Sequence, residues 1–260
     1  MKIATFNING VNGRLDILLR WLREARPDVV CLQEIKSVDE TFPREPIEDA
    51  GWNLETHGQK GFNGVAILAR RPIEDVTRGL PGDETDEQAR YIEATVCGEQ
   101  GAVRICGLYL PNGNPAPGPK YDYKLAWMAR LEARAAELMA AEEPAILAGD
   151  FNVIPQPEDA ARPQNWTEDA LFLPQTRQAW RRILNQGWTD ALRIHRPGPE
   201  VYTFWDYQAG AWQRNDGIRI DHLLLTPQAA DRLKSAEVDA WARGGEKPSD
   251  HAPVWIELDL

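Results

Sequence analysis

Six short polar segments of the chain each set an acid, an amide, a phenol or an imidazole beside a run that reads as a strand. They are TFNING at Thr5 to Gly10, LQEIK at Leu32 to Lys36, LYLPN at Leu108 to Asn112, GDFN at Gly149 to Asn152, RIDH at Arg219 to His222, and SDHAP at Ser249 to Pro253. Carboxylates and amides delivered by different strands can converge on one hard cation and one phosphate. An imidazole held by a carboxylate adds a fixed tautomer and a stabilised imidazolium. Such a set suits phosphate-ester hydrolysis, where positioning and electrostatics supply most of the rate.

Each residue also has a plainer reading. Glu34 ends the buried run Val29 to Gln33, so its carboxylate needs a cation or a partner. The partner could be a metal ion, Lys36 or a neighbouring arginine. Oxygen donors of this kind suit Mg²⁺ or Mn²⁺. Asn7 by itself reads as a strand-end amide. Asp150 and Asn152 follow Gly149 out of a buried strand, and such a tetrapeptide alone is often only an Asx turn. Gly149 allows close backbone approach. Tyr109 could be a core tyrosine with its hydroxyl at the edge. His251 alone would read as a loop residue, but Asp250 and Asp221 make it a candidate imidazolium. His222, one residue past Asp221, should face the other way along a strand. His57 and His195 carry no motif.

The elements that must position these groups alternate between strand and helix. Lys2 to Asn7, Val29 to Gln33, Ala145 to Ala148, Ile218 to Leu225, Glu237 to Ala240 and Val254 to Leu258 read as strands. Gly64 to Ala69, Tyr91 to Val96 and Val103 to Leu110 read as successive strands of a largely antiparallel region. Leu15 to Glu24 is an amphipathic helix ended near Pro27. The clearest helix is Tyr121 to Ala141, with apolar residues at Tyr121, Leu125, Met128, Leu131, Ala135 and Leu138. Thr176 to Asn185 reads as another. Pro155 to Gln175 reads as a long loop, a length that in a compact domain is usually functional. No repeat or linker interrupts the chain, so residues 1 to 260 are expected to form one α/β domain of two packed mixed sheets flanked by helices.

Bulk properties bound the setting. The 260 residues can bury a large core without disulfides. Cys31, Cys97 and Cys106 make an odd count without metal spacing, and Cys31 and Cys106 sit in apolar runs, which favours buried thiols and a reducing compartment. No signal segment and no membrane span is visible, so a cytoplasmic protein is expected. The net charge of −11 is unusual for a nucleic-acid enzyme, whose usual footprint is basic. Much of the acid lies at Glu40 to Asp49, Asp83 to Glu87 and Glu132 to Glu143, expected to be solvated faces away from the site.

In order and wording the six segments resemble the exonuclease III branch of the endonuclease/exonuclease/phosphatase superfamily, from Met1 to about Leu258. The resemblance implies a four-layer α/β sandwich with a pseudo-twofold relation. It implies that Glu34 is the principal metal ligand, with Asn7 and Asp250 near the ion. Asp150 would handle a proton, either activating water or protonating the leaving oxygen. Asn152, Tyr109 and Asn112 would hold nucleophile or phosphate, and Asp221 would orient His251. The stretch Tyr202 to Asp221 resembles the segment that walls the abasic-sugar pocket of abasic endonucleases. Phe204, Ile218 and Ile220 would be the wall, with Trp212 nearby and Trp205 in the core. Some relatives carry a large aromatic where this chain has Ile218, which leaves the balance of endonuclease and exonuclease activity open. Among the basic residues near the motifs, Arg90, Arg177 and Arg214 are the expected phosphate contacts.

The implied activity is Mg²⁺-dependent cleavage of double-stranded DNA 5′ to abasic sites and trimming of 3′ ends, by a nucleoid-associated monomer. The competing readings are another phosphodiesterase of the superfamily and a binding-only regulator on the same scaffold. The presence of Glu34, Asp150, Asn152, Asp221, Asp250 and His251 together argues against the regulator.

Overall fold

The apolar runs become the inner strands of two sheets, because each run is flanked by a helix that must cover one of its faces. A computed structural model describes every residue from Met1 to Leu260. Its strands are β1 (Lys2–Asn7), β2 (Val29–Gln33), β3 (Asn53–His57), β4 (Val65–Ala69), β5 (Ile73–Arg78), β6 (Tyr91–Cys97), β7 (Ala102–Tyr109), β8 (Ala145–Asp150), β9 (Thr189–Asp190), β10 (Asp221–Leu225), β11 (Leu233–Val238) and β12 (Val254–Leu258). Its helices are α1 (Leu15–Ala25), α2 (Arg44–Asp49), α3 (Pro119–Ala140), α4 (Pro174–Leu184), α5 (Ala191–His195) and α6 (Pro227–Ala230).

One sheet has the order β11-β12-β1-β2-β4-β3, and the other β5-β6-β7-β8-β10-β9. Each is built on one parallel pair, β1 with β2 and β7 with β8, and antiparallel strands extend it on both sides. A parallel pair needs a crossover, and α1 and α3 supply it. The two sheets therefore repeat one pattern of pairings, as a pseudo-twofold requires.

Alternation along the strands separates the layers. Ile3, Val29, Cys31, Ile67, Ile105, Ile146 and Ile256 face the space between the sheets and form the largest apolar cluster. Phe6, Leu32 and Leu68 point outward onto Leu18, Trp21 and Leu22 of α1. Leu108 and Leu147 point outward onto Trp127, Met128 and Leu131 of α3 and Trp180 of α4. Helix, sheet, sheet and helix make the four-layer sandwich. Cys31 and Cys106 are buried and free, and Cys97 is exposed. No helix is long and apolar enough to cross a membrane.

Three sequence expectations change. Gly64 to Ala69 does not run on into the next strands as one antiparallel region: β4 pairs with β2 and β3, while β6 and β7 belong to the other sheet. The edge strands β3 and β5 escaped notice because Leu54 is the one apolar residue of β3 and β5 exposes most of its side chains. Finally, Pro155 to Gln175 is not a free loop. It makes two 3₁₀ turns, Pro157–Asp159 and Pro163–Trp166, and runs into α4 at Pro174. Leu171 and Phe172 pack it onto Ile218 and Ile220.

Gly149 fixes how tightly β7 and β8 can pair. It lies opposite Leu108, and a Cβ there would sit 1.9 Å from the Leu108 carbonyl oxygen. Gly149→Ala should therefore lower unfolding free energy by about 3 kcal/mol or more, the upper end of overpacking costs. Urea unfolding checks it, and an unchanged midpoint would contradict the close approach.

Candidate active site

The parallel pairs of both sheets end on the same side, and the six polar segments lie at those ends. Asn7 closes β1, Glu34 follows β2, Tyr109 closes β7 and Asp150 closes β8. Asp221 opens β10 directly opposite Asp150, and His251 precedes β12. Glu34, Tyr109, Asp150 and His251 line a cleft of about 180 Å³ together with Asn112, Asn114, Asn152, Trp166, Asp169, Leu171, Phe204, Asp206, Ile218, Ile220 and Asp250, and Asn7 and Asp221 back it through hydrogen bonds to Asp150 and His251. Three of the polar residues that shape it, Asn9, Glu34 and Asn152, hold left-handed backbone (φ 49°, 49° and 47°). Non-glycine residues pay for that conformation with strain, which concentrates at functional sites.

The acids are linked by donors rather than left facing one another. The Asn7 amide N–H₂ donates to Glu34 Oε1 (2.9 Å) and to Asp150 Oδ2 (3.0 Å), so it bridges the two sheets. Its Oδ1 accepts the Asn9 backbone N–H at 3.1 Å and keeps a second lone pair. Lys36 pairs with Glu34 Oε2 at 2.8 Å. Burial opposes the Glu34 charge, but hydrogen bonds from Lys36 and Asn7 hold its carboxyl below the usual range. Asp250 accepts from Asn9 Nδ2 at 3.0 Å and lines the cleft beside this cluster.

His251 is set from behind. Its Nδ1 donates to Asp221 Oδ2 at 2.8 Å, and the same oxygen accepts from Thr203 Oγ1 at 2.6 Å. Its Nε2 then faces Asp150 Oδ2 at 3.7 Å, and the Phe204 ring packs edge-on against it. Burial alone would lower the imidazole, but the charges of Asp221 and Asp150 override it and raise His251 to about 10. Burial pushes Asp150 the other way from an ordinary carboxylate, upward, and His251 partly offsets this. A buried carboxyl raised in this manner suits proton transfer near neutral pH. Tyr109 is held as a neutral phenol by burial and by the charges of Glu34 and Asp150.

Ligand atoms of Glu34, Asp150 and His251 all lie within 4.8 Å of one another. A protonated imidazole offers no lone pair, so the carboxylates of Glu34 and Asp150 are the fitting donors, and oxygen pairs of this type suit a small hard divalent cation. Asn7 and Lys36 each take one oxygen of Glu34, and each oxygen keeps a further lone pair.

One wall of the cleft is apolar. Phe204, Leu171, Ile218, Ile220 and Trp166 pack together there. Ile218 and Ile220 face the cleft while Arg219 between them points back. Arg219 is buried against Asp159 (2.7 Å) and Asp190 (2.8 Å), which anchors the wall. His222 also faces away, with its ring on Trp180 and Phe151 and its Nδ1 2.9 Å from Arg219, and burial lowers it to about 4.

The basic residues expected to touch phosphate each have partners within the chain. Arg90 lies over the Tyr109 ring and donates to the Tyr109 carbonyl at 3.2 Å, so it braces that tyrosine. Arg177 stacks on Phe172 in α4. Arg214 is exposed, bonds the Ala209 carbonyl and lies near Asp216. Trp212 is outside the cleft, because its ring packs edge-on against Trp205 in a separate cluster. Sequence reasoning passed over Thr203, Asp159 and the full burial of Lys124. Only Lys124 left a signal, since it falls on the apolar stripe of α3 three residues after Tyr121 and three before Trp127.

Because the His251 value is raised on folding, its contribution to stability is complete below the ordinary imidazole range and fades as pH climbs toward about 10. In metal-free protein its ring-proton NMR shifts should stay flat from about pH 5 to 8. Asp221→Asn should bring the midpoint down. A midpoint near the ordinary value in the unaltered protein would contradict the pairing.

Comparison with known proteins agrees with this geometry. The chain is 34% identical over 266 residues to exodeoxyribonuclease III of Haemophilus influenzae, covering 99% of this chain and 100% of that protein. Its fold matches an AP endonuclease from Archaeoglobus fulgidus with a TM-score of 0.95 at 37% identity, over 100% of both chains. It matches a 3′ phosphatase from Neisseria, solved with a product DNA hairpin, with a TM-score of 0.96 at 39% identity, again over 100% of both chains. Residues 4–251 fit the pattern of one family, and the chain belongs to it: the Endonuclease/Exonuclease/phosphatase family.

Proposed function

We propose that this DNA repair nuclease hydrolyses phosphodiesters 5′ to abasic sites in double-stranded DNA and trims 3′ ends, with Mg²⁺ as its ion and Mn²⁺ as a substitute. One observation carries the proposal: the acid cluster and an apolar wall share a single cleft. The aliphatic side chains of Leu171, Ile218 and Ile220 give a base edge no hydrogen-bond partner, yet they cover a bare sugar well. A 3′-terminal sugar could enter by the same route.

Each group has a role at a stated atom. His251 Nε2, protonated and backed by Asp221, places positive charge at a phosphoryl oxygen. The Tyr109 hydroxyl and the side-chain amides of Asn112 and Asn152 orient the phosphate. Asp150 Oδ2 moves the proton, to the leaving oxygen or from the attacking water. Glu34 and Asp150 would hold the ion, with Asp250 beside them, and a bound divalent cation supplies further positive charge for the phosphate. The proposal takes residues 1 to 260 as one domain acting as a cytoplasmic, nucleoid-associated monomer. The core shared by the two sheets supports one domain.

End-labelled duplex with one abasic analogue tests the reading. With Mg²⁺ a single cut 5′ to the lesion is expected, with undamaged duplex spared internally, and EDTA should abolish it. Asp150→Asn and His251→Ala should each lower kcat by about a thousandfold while the fold persists. Normal turnover by both variants would overturn the site assignment. Absence of incision together with processing of 3′ ends would restrict the substrate to termini.

A further inference from the structure

Lys124 stands out among the buried groups that the proposed chemistry does not use. It lies on the inward face of α3 between Tyr121 and Trp127 and is wholly inaccessible to solvent. A buried ammonium is costly, and an apolar residue would ordinarily occupy such a position. Its Nζ donates to the backbone carbonyls of Asn152 (2.6 Å) and Asn112 (3.0 Å). Burial pulls the Lys124 ammonium down to about 7, and the charges of Asp150 and Asp169 offset this only in part.

The two carbonyls belong to the two loops that carry amides into the cleft. Asn112 Nδ2 donates to Asn152 Oδ1 at 3.2 Å, and Asn152 Nδ2 donates to the Leu110 carbonyl at 2.9 Å. Both carbonyls bonded to Lys124 are thereby turned toward the core, away from where a phosphate would lie. Their dipoles then do not oppose the anion, and the side-chain amides are left facing the cleft. Gly113 is shaped to the same contact. Its φ is +92°, and a Cβ there would meet Lys124 Cδ at 2.6 Å.

We propose that Lys124 is a positioning residue for phosphodiester cleavage, tying the Asn112 and Asn152 loops together so that both amides hold the reacting phosphate. This rests on the reading of Asn112 and Asn152 as phosphate-holding groups. Lys124 touches no substrate itself. Its effect should therefore appear in kcat with little change in KM, as loss of an interaction made chiefly in the transition state does.

The test uses the full chain with Mg²⁺ on the abasic duplex, below the melting temperature of every variant. Lys124→Met should lower kcat by about a hundredfold, the size expected when reacting groups are displaced by about 1 Å. Lys124→Arg, which keeps a cation, should recover part of that loss. Should the methionine variant fail to fold, Lys124→Gln carries the same comparison with Lys124→Arg. In an Asn112→Ala/Asn152→Ala background the Lys124 substitution should add little, because the amides it places are gone. A variant that keeps kcat and loses only thermal stability would overturn the proposal, and so would a loss that multiplies in full onto the alanine pair. If the alanine pair itself cleaves normally, the reading of the two amides fails, a result distinct from failure of the lysine substitutions alone.

Discussion

Glu34 and Asp150 set their carboxylates in one largely buried cleft with Asp221 just behind, and burying such charges unpaired is among the most costly things a protein can do. The surroundings are arranged to offset that cost. Asn7 spans Glu34 and Asp150 with one amide, Lys36 takes the outer oxygen of Glu34, and His251 takes Asp221. The result is an anionic centre whose members are held at fixed separations. A divalent cation and a phosphate are the natural partners of such a centre, since each neutralises what the other leaves.

The sandwich serves this arrangement by geometry. Each sheet contributes one parallel pair, and both pairs end at the same rim, so groups more than 100 residues apart in sequence meet without long loops. Short pieces of left-handed backbone at Asn9, Glu34 and Asn152 then turn the chain sharply enough to aim side chains inward. Strain of this kind persists only where the surroundings over-determine it. Here the surroundings are two sheets with a common core and a lysine that draws two loops together from behind. The acid excess of the chain is placed elsewhere, with Glu45, Glu48, Asp49, Glu142 and Glu143 all on exposed faces.

Much of this was legible in the sequence where local pattern and function coincide. β1, β2 and β12 fall on the apolar runs read for them, and the six polar segments do line or back one cleft. What escaped was set by tertiary context. The polar edge strands β3 and β5 carry no apolar alternation, so nothing local marks them. The neighbours of the basic side chains were not legible either: Arg90 and Arg177 lie over aromatic rings, and Arg219 lies buried between two aspartates. Trp212 shared a segment with the pocket wall yet turned to its own aromatic neighbours. In each case the sequence shows which residue is present but not which way it points.

The most direct measurement is the position of a bound ion. Crystals soaked in Mn²⁺ should show an anomalous density peak in the cleft, in contact with carboxylate oxygens of Glu34 and Asp150, and Glu34→Gln should weaken or remove it. A peak elsewhere with none between these two residues, or density unaltered by Glu34→Gln, would contradict a metal centre shared by the two sheets.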